Sequence, residues 1–152
     1  KGYTESNFTG FDRIDSKPAT TPTASQINVS MSSPLYNSSY TYDPATNLYN
    51  RYQGGAAHID REAGQISPRV VIVMKAPMAH VFEDGYREQI TTIGSGAAYI
   101  FQDGTVQEVT WNKPTRTSQI NFTNAEGKKV ALARGQTWIS VVPQSTGGAS
   151  WQ

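Results

Sequence analysis

The chain has 152 residues, a net charge of +1, 37% hydrophobic and 16% charged side chains, and no cysteine. A chain of this length forms one domain whose core needs no metal or disulfide staple, and the missing cysteine excludes thiol catalysis, disulfides and cysteine-ligated zinc. Its basic residues are scattered, which argues against a nucleic-acid partner, and its longest apolar run, residues 70–74, is far too short to span a bilayer as a helix.

Leu and Glu are sparse, while Thr, Val, Ile and Tyr recur, a composition that suits half-buried strands. The first residue is Lys1, with no signal peptide or lipidation motif, so a preceding piece of a longer protein is expected. Residues 1–24 carry Pro18, Pro22 and little periodicity, and read as an extended lead-in, either an arm on the domain or a linker from an N-terminal domain. Ile27, Val29 and Met31 alternate with Asn28 and Ser30, the pattern of a strand with one buried face. Tyr40 and Tyr42 share a face of the next strand. Asp43-Pro44-Ala45-Thr46-Asn47 reads as a turn, and Leu48 and Tyr52 as one face of the returning strand.

Gly54-Gly55 breaks this pattern, and residues 56–67 read as a polar loop with a short turn at 60–64. Val70-Val71-Ile72-Val73-Met74 is continuous and β-branched, as a strand buried on both faces requires, and Pro77 ends it. Residues 88–93 read as a further strand and Gly94-Ser95-Gly96 as a bend or bulge. Asp103-Gly104 is the strongest hairpin signal, because that pair accepts the positive φ of a type I′ turn. Ile120 and Phe122 share a face, Asn124 to Gly127 turn the chain, and Val130 and Leu132 return it. Gly135 leads into a strand closed by Pro143, and residues 144–152 read as a frayed tail on which Trp151 could dock. The expected fold is mainly β: about nine short, largely antiparallel strands in a sandwich or partly closed barrel, with little or no helix. The β domain covers 25–143.

Chemical motifs are few. His58 and His80 are 22 positions apart without metal-ligand spacing, and no metal or cofactor is expected. No G-x-S-x-G elbow, phosphate loop or dinucleotide fingerprint occurs. Asp60, Glu62, Glu83, Asp84, Glu88 and Glu108 could supply a carboxylate pair, but their spacing selects none. Tyr36, Tyr40, Tyr42, Tyr49 and Tyr52 crowd one hairpin region, and cross-strand core packing is favoured over a binding platform for them. The sequons at Asn7, Asn28, Asn37 and Asn121 carry no weight in so polar a chain.

Several segments together resemble a known family. They are Gly10-Phe11-Asp12, the run from Tyr42-Asp43-Pro44 to Asn50-Arg51, and Gly54-Gly55-Ala56-Ala57-His58-Ile59-Asp60. They continue with Val70 to Met74, the run from Gly94-Ser95-Gly96 to Asp103-Gly104, Thr110-Trp111-Asn112-Lys113, and Gly135-Gln136-Thr137-Trp138 through Pro143. In that order they resemble the C-terminal domain of the YerB-like family of bacterial lipoproteins, over nearly the whole chain. Ala57 stands where Pro is expected, and the stretch after Lys113 is less basic than expected.

The resemblance implies an extracytoplasmic protein, membrane-anchored through a lipid outside this chain, with its own N-terminal domain as a partner. It implies no reaction and no catalytic residues. The positions singled out for a binding site are Arg51, His58, Asp60, Trp111, Lys113 and Arg116, with Trp138 beside them. Plain structural roles compete: an Arg51–Asp60 ion pair, core positions for Trp111 and Trp138, and backbone geometry for Gly96 and Gly135. The leading expectation is a non-catalytic binding or structural module of the cell envelope, which binds a cell-wall polymer, a peptide or an envelope protein or supports its partner domain, with no nucleic acid. The alternatives are a cell-wall hydrolase, which needs His58, Asp60 or Glu62 converging with Arg51 or Lys113 in a pocket, and a site shared with the N-terminal domain.

Overall fold

The computed structural model describes residues 9–81, 85 and 87–152. Among them there is no helix. The strands are β1 (Arg13–Ile14), β2 (Gln26–Ser30), β3 (Ser38–Asp43), β4 (Leu48–Gln53), β5 (Ala56–Ala57), β6 (Ile59–Asp60), β7 (Gly64–Gln65) and β8 (Val70–Ala76). They continue with β9 (Met78–His80), β10 (Glu88–Ile90), β11 (Gly94–Gln102), β12 (Thr105–Lys113), β13 (Asn121–Thr123), β14 (Leu132–Ala133), β15 (Thr137–Pro143) and β16 (Gly148–Trp151). The class is as expected, but the strands outnumber the expected nine because several are two-residue pairings that leave no periodic trace in sequence. No sheet closes into a barrel: two five-stranded sheets, ordered β13-β12-β11-β8-β15 and β16-β2-β3-β4-β5, remain open. Pairing is antiparallel except between β15 and β8 and between β1 and β14.

β8 explains the layering. Val70, Ile72, Met74 and Ala76 point into one core with Ile100, Trp111, Phe122 and Leu132. Val71 and Val73 point into the other, with Phe101 and Val142 from the same sheet and Ile27, Val29, Tyr40, Tyr42 and Tyr49 from the second sheet. Side chains alternate along a strand, so an unbroken apolar run feeds two cores at once. The two five-stranded sheets therefore pack face to face, and the far face of the first is covered by Phe11, Ile120, Val130 and β14. The chain passes between sheets just before β8, where Tyr49 and Arg51 donate their backbone N–H to Pro68 and Ile66.

The expected hairpins form. Asp103 and Gly104 sit at φ 58° and 78° between the paired residues Gln102 and Thr105, as a type I′ turn demands. In the 43–47 turn, the Asp43 carboxylate accepts from Ala45 N at 3.0 Å and Thr46 Oγ1 at 2.7 Å. These two turns are tied together: Tyr42 OH donates to Asn47, Asn47 to Asp103, and Arg69 pairs with Asp103 at 2.7 Å. The described part of the lead-in lies on the domain, Ala19 N donating to Asp103 O and Ala24 N to Gly104 O.

Four expectations change. On β4 the buried face is Tyr49 and Arg51, and Leu48 and Tyr52 lie on the less buried one. The expected strand at 88–93 is shorter, Glu88–Ile90, and exposed along its length. The C-terminal segment is not frayed: Gly148–Trp151 pairs with β2, and the Trp151 ring lies 5.6 Å edge-on from Phe101. Gly94-Ser95-Gly96 is the start of β11 rather than a bend. Gly96 is needed for space. A Cβ there would lie 2.7 Å from Trp111 Nε1 and 3.0 Å from Lys75 O, the two atoms joined by a 2.8 Å hydrogen bond. Gly96→Val is therefore expected to destabilise the fold by about 1–3 kcal/mol through overpacking. The exposed neighbour Ala97→Val should change it by less than about 0.5 kcal/mol. Urea unfolding of both variants checks this.

Candidate functional site

The open sides of the two sheets leave a groove of about 560 Å³ between the β6–β7 hairpin with residues 66–68 and the start of β15. Asp60, Gln65 and Ser67 face Gln136, Thr137 and Trp138 across it. The groove exists because β15 is the last strand of its sheet, while the crossing segment 66–68 hydrogen-bonds to β4 of the other.

Trp138 is half-buried, and its ring is held from within. The Arg51 guanidinium carbon lies 4.3 Å from its ring centroid, and the His58 ring meets it edge-on at 5.8 Å. A guanidinium over an indole face is attracted by the ring quadrupole, and more so when water is excluded. Arg51 is only 2% exposed. Its Nε donates to Tyr40 OH at 3.3 Å, and its Nη1 donates to Gln53 Oε1 at 3.1 Å and to His58 Nδ1. No described carboxylate pairs with it, so the competing reading of an Arg51–Asp60 ion pair does not hold. Neutral acceptors and an aromatic face carry this cation, a costly arrangement to disturb because a guanidinium cannot discharge itself by losing its proton.

Arg51 can only donate, so its contact with His58 Nδ1 calls for an accepting Nδ1, as in the neutral tautomer with the proton on Nε2. Burial first and the Arg51 charge second push the His58 pKa below its usual value. Asp60 rims the groove, but its Oδ1 accepts from Glu62 N and Ala63 N at 3.0 and 2.8 Å and closes its own turn. Those backbone hydrogen bonds hold its pKa below the ordinary carboxylate range. Glu62 does not line the groove.

The other candidates lie elsewhere. Trp111 is 1% exposed and belongs to the core, its indole N–H spent on Lys75 O. Lys113 donates to the carbonyls of Thr115, Arg116 and Ser118 and pins its own loop. Arg116 is exposed on that loop. Neither reaches the groove. The structure thus joins Arg51 and His58 at Trp138, sets Asp60 on the rim of the groove that Trp138 lines, and leaves Trp111, Lys113 and Arg116 elsewhere. Glu83 and Asp84 lie outside the described residues. Sequence reasoning takes Trp138 for core and passes over Gln65, Gln136 and Thr137. The polar pair Gln136-Thr137 before Trp138 is the one available signal that the strand opens at a surface. Among the described residues, no three His, Asp or Glu side chains gather as metal ligands. As an assembly, the groove can present a fixed aromatic face and amide and hydroxyl groups, and Asp60 is the one acidic residue among its described lining.

The class is thus an all-β, two-sheet domain with a groove on its open side that Trp138 lines. The chain belongs to the family described as the C-terminal domain of a protein of unknown function (DUF3048), which matches residues 27–139. The crystal structure of YerB protein from Bacillus subtilis is similar, with a TM-score of 0.72 and 24% identity over 88% of this chain and 46% of that one. The chain therefore spans a little under half of that protein, and the likeness is one of fold. No curated protein matches the sequence.

The His58 shift has a sign. In the unfolded chain His58 titrates at about 6.5, and in the folded one lower. Below ~6.5 the unfolded state takes up a proton that the folded state refuses, so the contribution is complete above that pH and is lost as pH falls toward the folded value. The urea midpoint is expected to drop between pH 7.5 and pH 5, and His58→Gln should flatten that drop.

Proposed function

We propose that this domain is a non-catalytic binding module of the bacterial cell envelope and that the Trp138 groove receives its ligand, a cell-wall polymer. The observation that carries this reading is the mounting of Trp138, whose ring is held by the Arg51 guanidinium over its face and by the His58 ring edge-on, at the wall of a groove lined by amides and hydroxyls. A rigid aromatic face with a few polar groups around it suits flat, hydroxyl-rich ligands such as sugar rings. An extracytoplasmic position, with attachment to the membrane through a lipid outside this chain, belongs to the same proposal and rests on the family resemblance.

The hydrolase alternative finds less support. Catalysis by two carboxylates needs a pair flanking the bond, and Asp60 is the only acidic residue among the groove's described lining, with its Oδ1 engaged by its own turn. His58 faces Arg51 with the nitrogen a general base would use. A shared site with a second domain is favoured by one observation, that the similar solved protein is about twice as long. In that reading the same groove would be one wall of a larger cleft.

The test is retention of the purified chain on insoluble peptidoglycan and on teichoic-acid-bearing walls. Trp138→Ala is expected to reduce retention at least about tenfold, the scale of losing one stacked aromatic, with the fold intact by circular dichroism. Arg116→Ala should have no effect. Absence of retention on either wall would set aside the wall-polymer reading and favour the shared site.

A further inference from the structure

The two large sheets have four edges, and they are not alike. β13, β5 and β16 are three, two and four residues long. β15 is seven residues long and runs Thr-Trp-Ile-Ser-Val-Val-Pro, with no charge and no proline before its last residue. Its register with β8 is unbroken from Thr137 to Pro143, so it has no bulge. Natural edge strands are protected by short length, charge, proline or bulges, and β15 has none of these along its body.

The backbone of β15 divides cleanly. Gln136 O accepts from Val70 N at 3.1 Å, and Gln144 N donates to Ala76 O at 2.9 Å. In a parallel ladder only alternate residues face the partner strand, so the even-numbered residues serve β8. The N–H and C=O groups of Thr137, Ile139 and Val141 point away from the sheet, and no described residue pairs with them. Ile139, at the middle of this set, is 37% exposed.

We propose that this edge pairs with a second copy of the chain, antiparallel, about a two-fold axis at Ile139. In that register Ile139 faces the partner's Ile139, and Thr137 faces the partner's Val141. All the facing backbone groups are those left free by β8, which gives about six inter-strand hydrogen bonds. On the other sheet face Trp138 comes opposite the partner's Ser140. No like charges meet, and the apposed β-branched side chains are favourable cross-strand neighbours. Pro143, which has no N–H, and Gly135, at φ 138°, meet at both ends and limit the ladder to this symmetric stretch. An isologous contact of this kind closes on itself and consumes the edge left unprotected among the described residues, joining two five-stranded sheets into one.

The test is sedimentation of the 152-residue chain over a micromolar concentration series, with variants at the axis. The wild-type chain is expected to dimerise. Ile139→Lys, which places two ammonium groups face to face at the axis, should raise the dimer dissociation constant at least tenfold while the unfolding midpoint stays close to wild type. The chain has no cysteine, so Ile139→Cys offers a second readout: the pair of thiols falls within disulfide reach, and mild oxidation should link it into dimers, whereas Thr110→Cys on the opposite side of the sheet should remain unlinked. A chain that sediments as a monomer throughout, or a dimer that neither Ile139→Lys weakens nor Ile139→Cys links, overturns the proposal. So does equal linking of the Thr110→Cys control.

Discussion

β8 is the constraint on which the rest depends. Five of its seven residues form an unbroken β-branched and methionine run, and all but Lys75 are buried. A strand with no polar face must be covered on both sides, and each cover comes from a different part of the chain. The second sheet supplies one, through Tyr40, Tyr42 and Tyr49, and the returning segment from Ile120 to Ala133 supplies the other. The parallel pairing of β15 follows from the same demand. The strand that completes the sheet beyond β8 arrives after the chain has gone round the far face, so it runs in the same direction as β8.

The groove is a by-product of that arrangement. Because β15 is added last, nothing in the described chain pairs with its outer side. Because the chain changes sheets at 66–68, the neighbouring edge of the second sheet turns toward it. Arg51 occupies the seam between them. An apolar residue there would fill the space, but only a cation could hold Tyr40, Gln53, His58 and the face of Trp138 in one geometry. The binding groove and the proposed two-fold edge thus share a strand. Gln136, Thr137 and Trp138 line the groove, and the outer backbone groups of Thr137, Ile139 and Val141 are those proposed to pair.

Where a segment's preference was local, the sequence was legible. The Asp103-Gly104 turn, the buried run at 70–74 and the alternation at Ile27 and Val29 depend on torsion preferences and period, and each stands where its residues place it. Where the outcome depended on which of two similar faces found a partner, sequence was mute. On β4, Leu48 and Tyr52 compete with Tyr49 and Arg51, and the set containing the cation is the buried one because Trp138 and His58 wait above it. Gly96 suggested a bend, and its real cause, the indole of Trp111, comes from another strand.

By itself the sequence determined the all-β class, the main turns, the strand buried on both faces, and the family to which the chain belongs, because these are written in composition, period and ordered motifs. It also marked Arg51, His58 and Asp60 as neighbours along the chain. Tertiary structure alone decided that Trp138 is half-buried at the core's margin while Trp111 is fully core, that no described carboxylate pairs with Arg51, and that Lys113 spends its charge on its own loop. The reason is physical: burial and pairing are properties of the elements that happen to pack together, and residues 51, 58 and 138 meet only after two sheets have closed on β8.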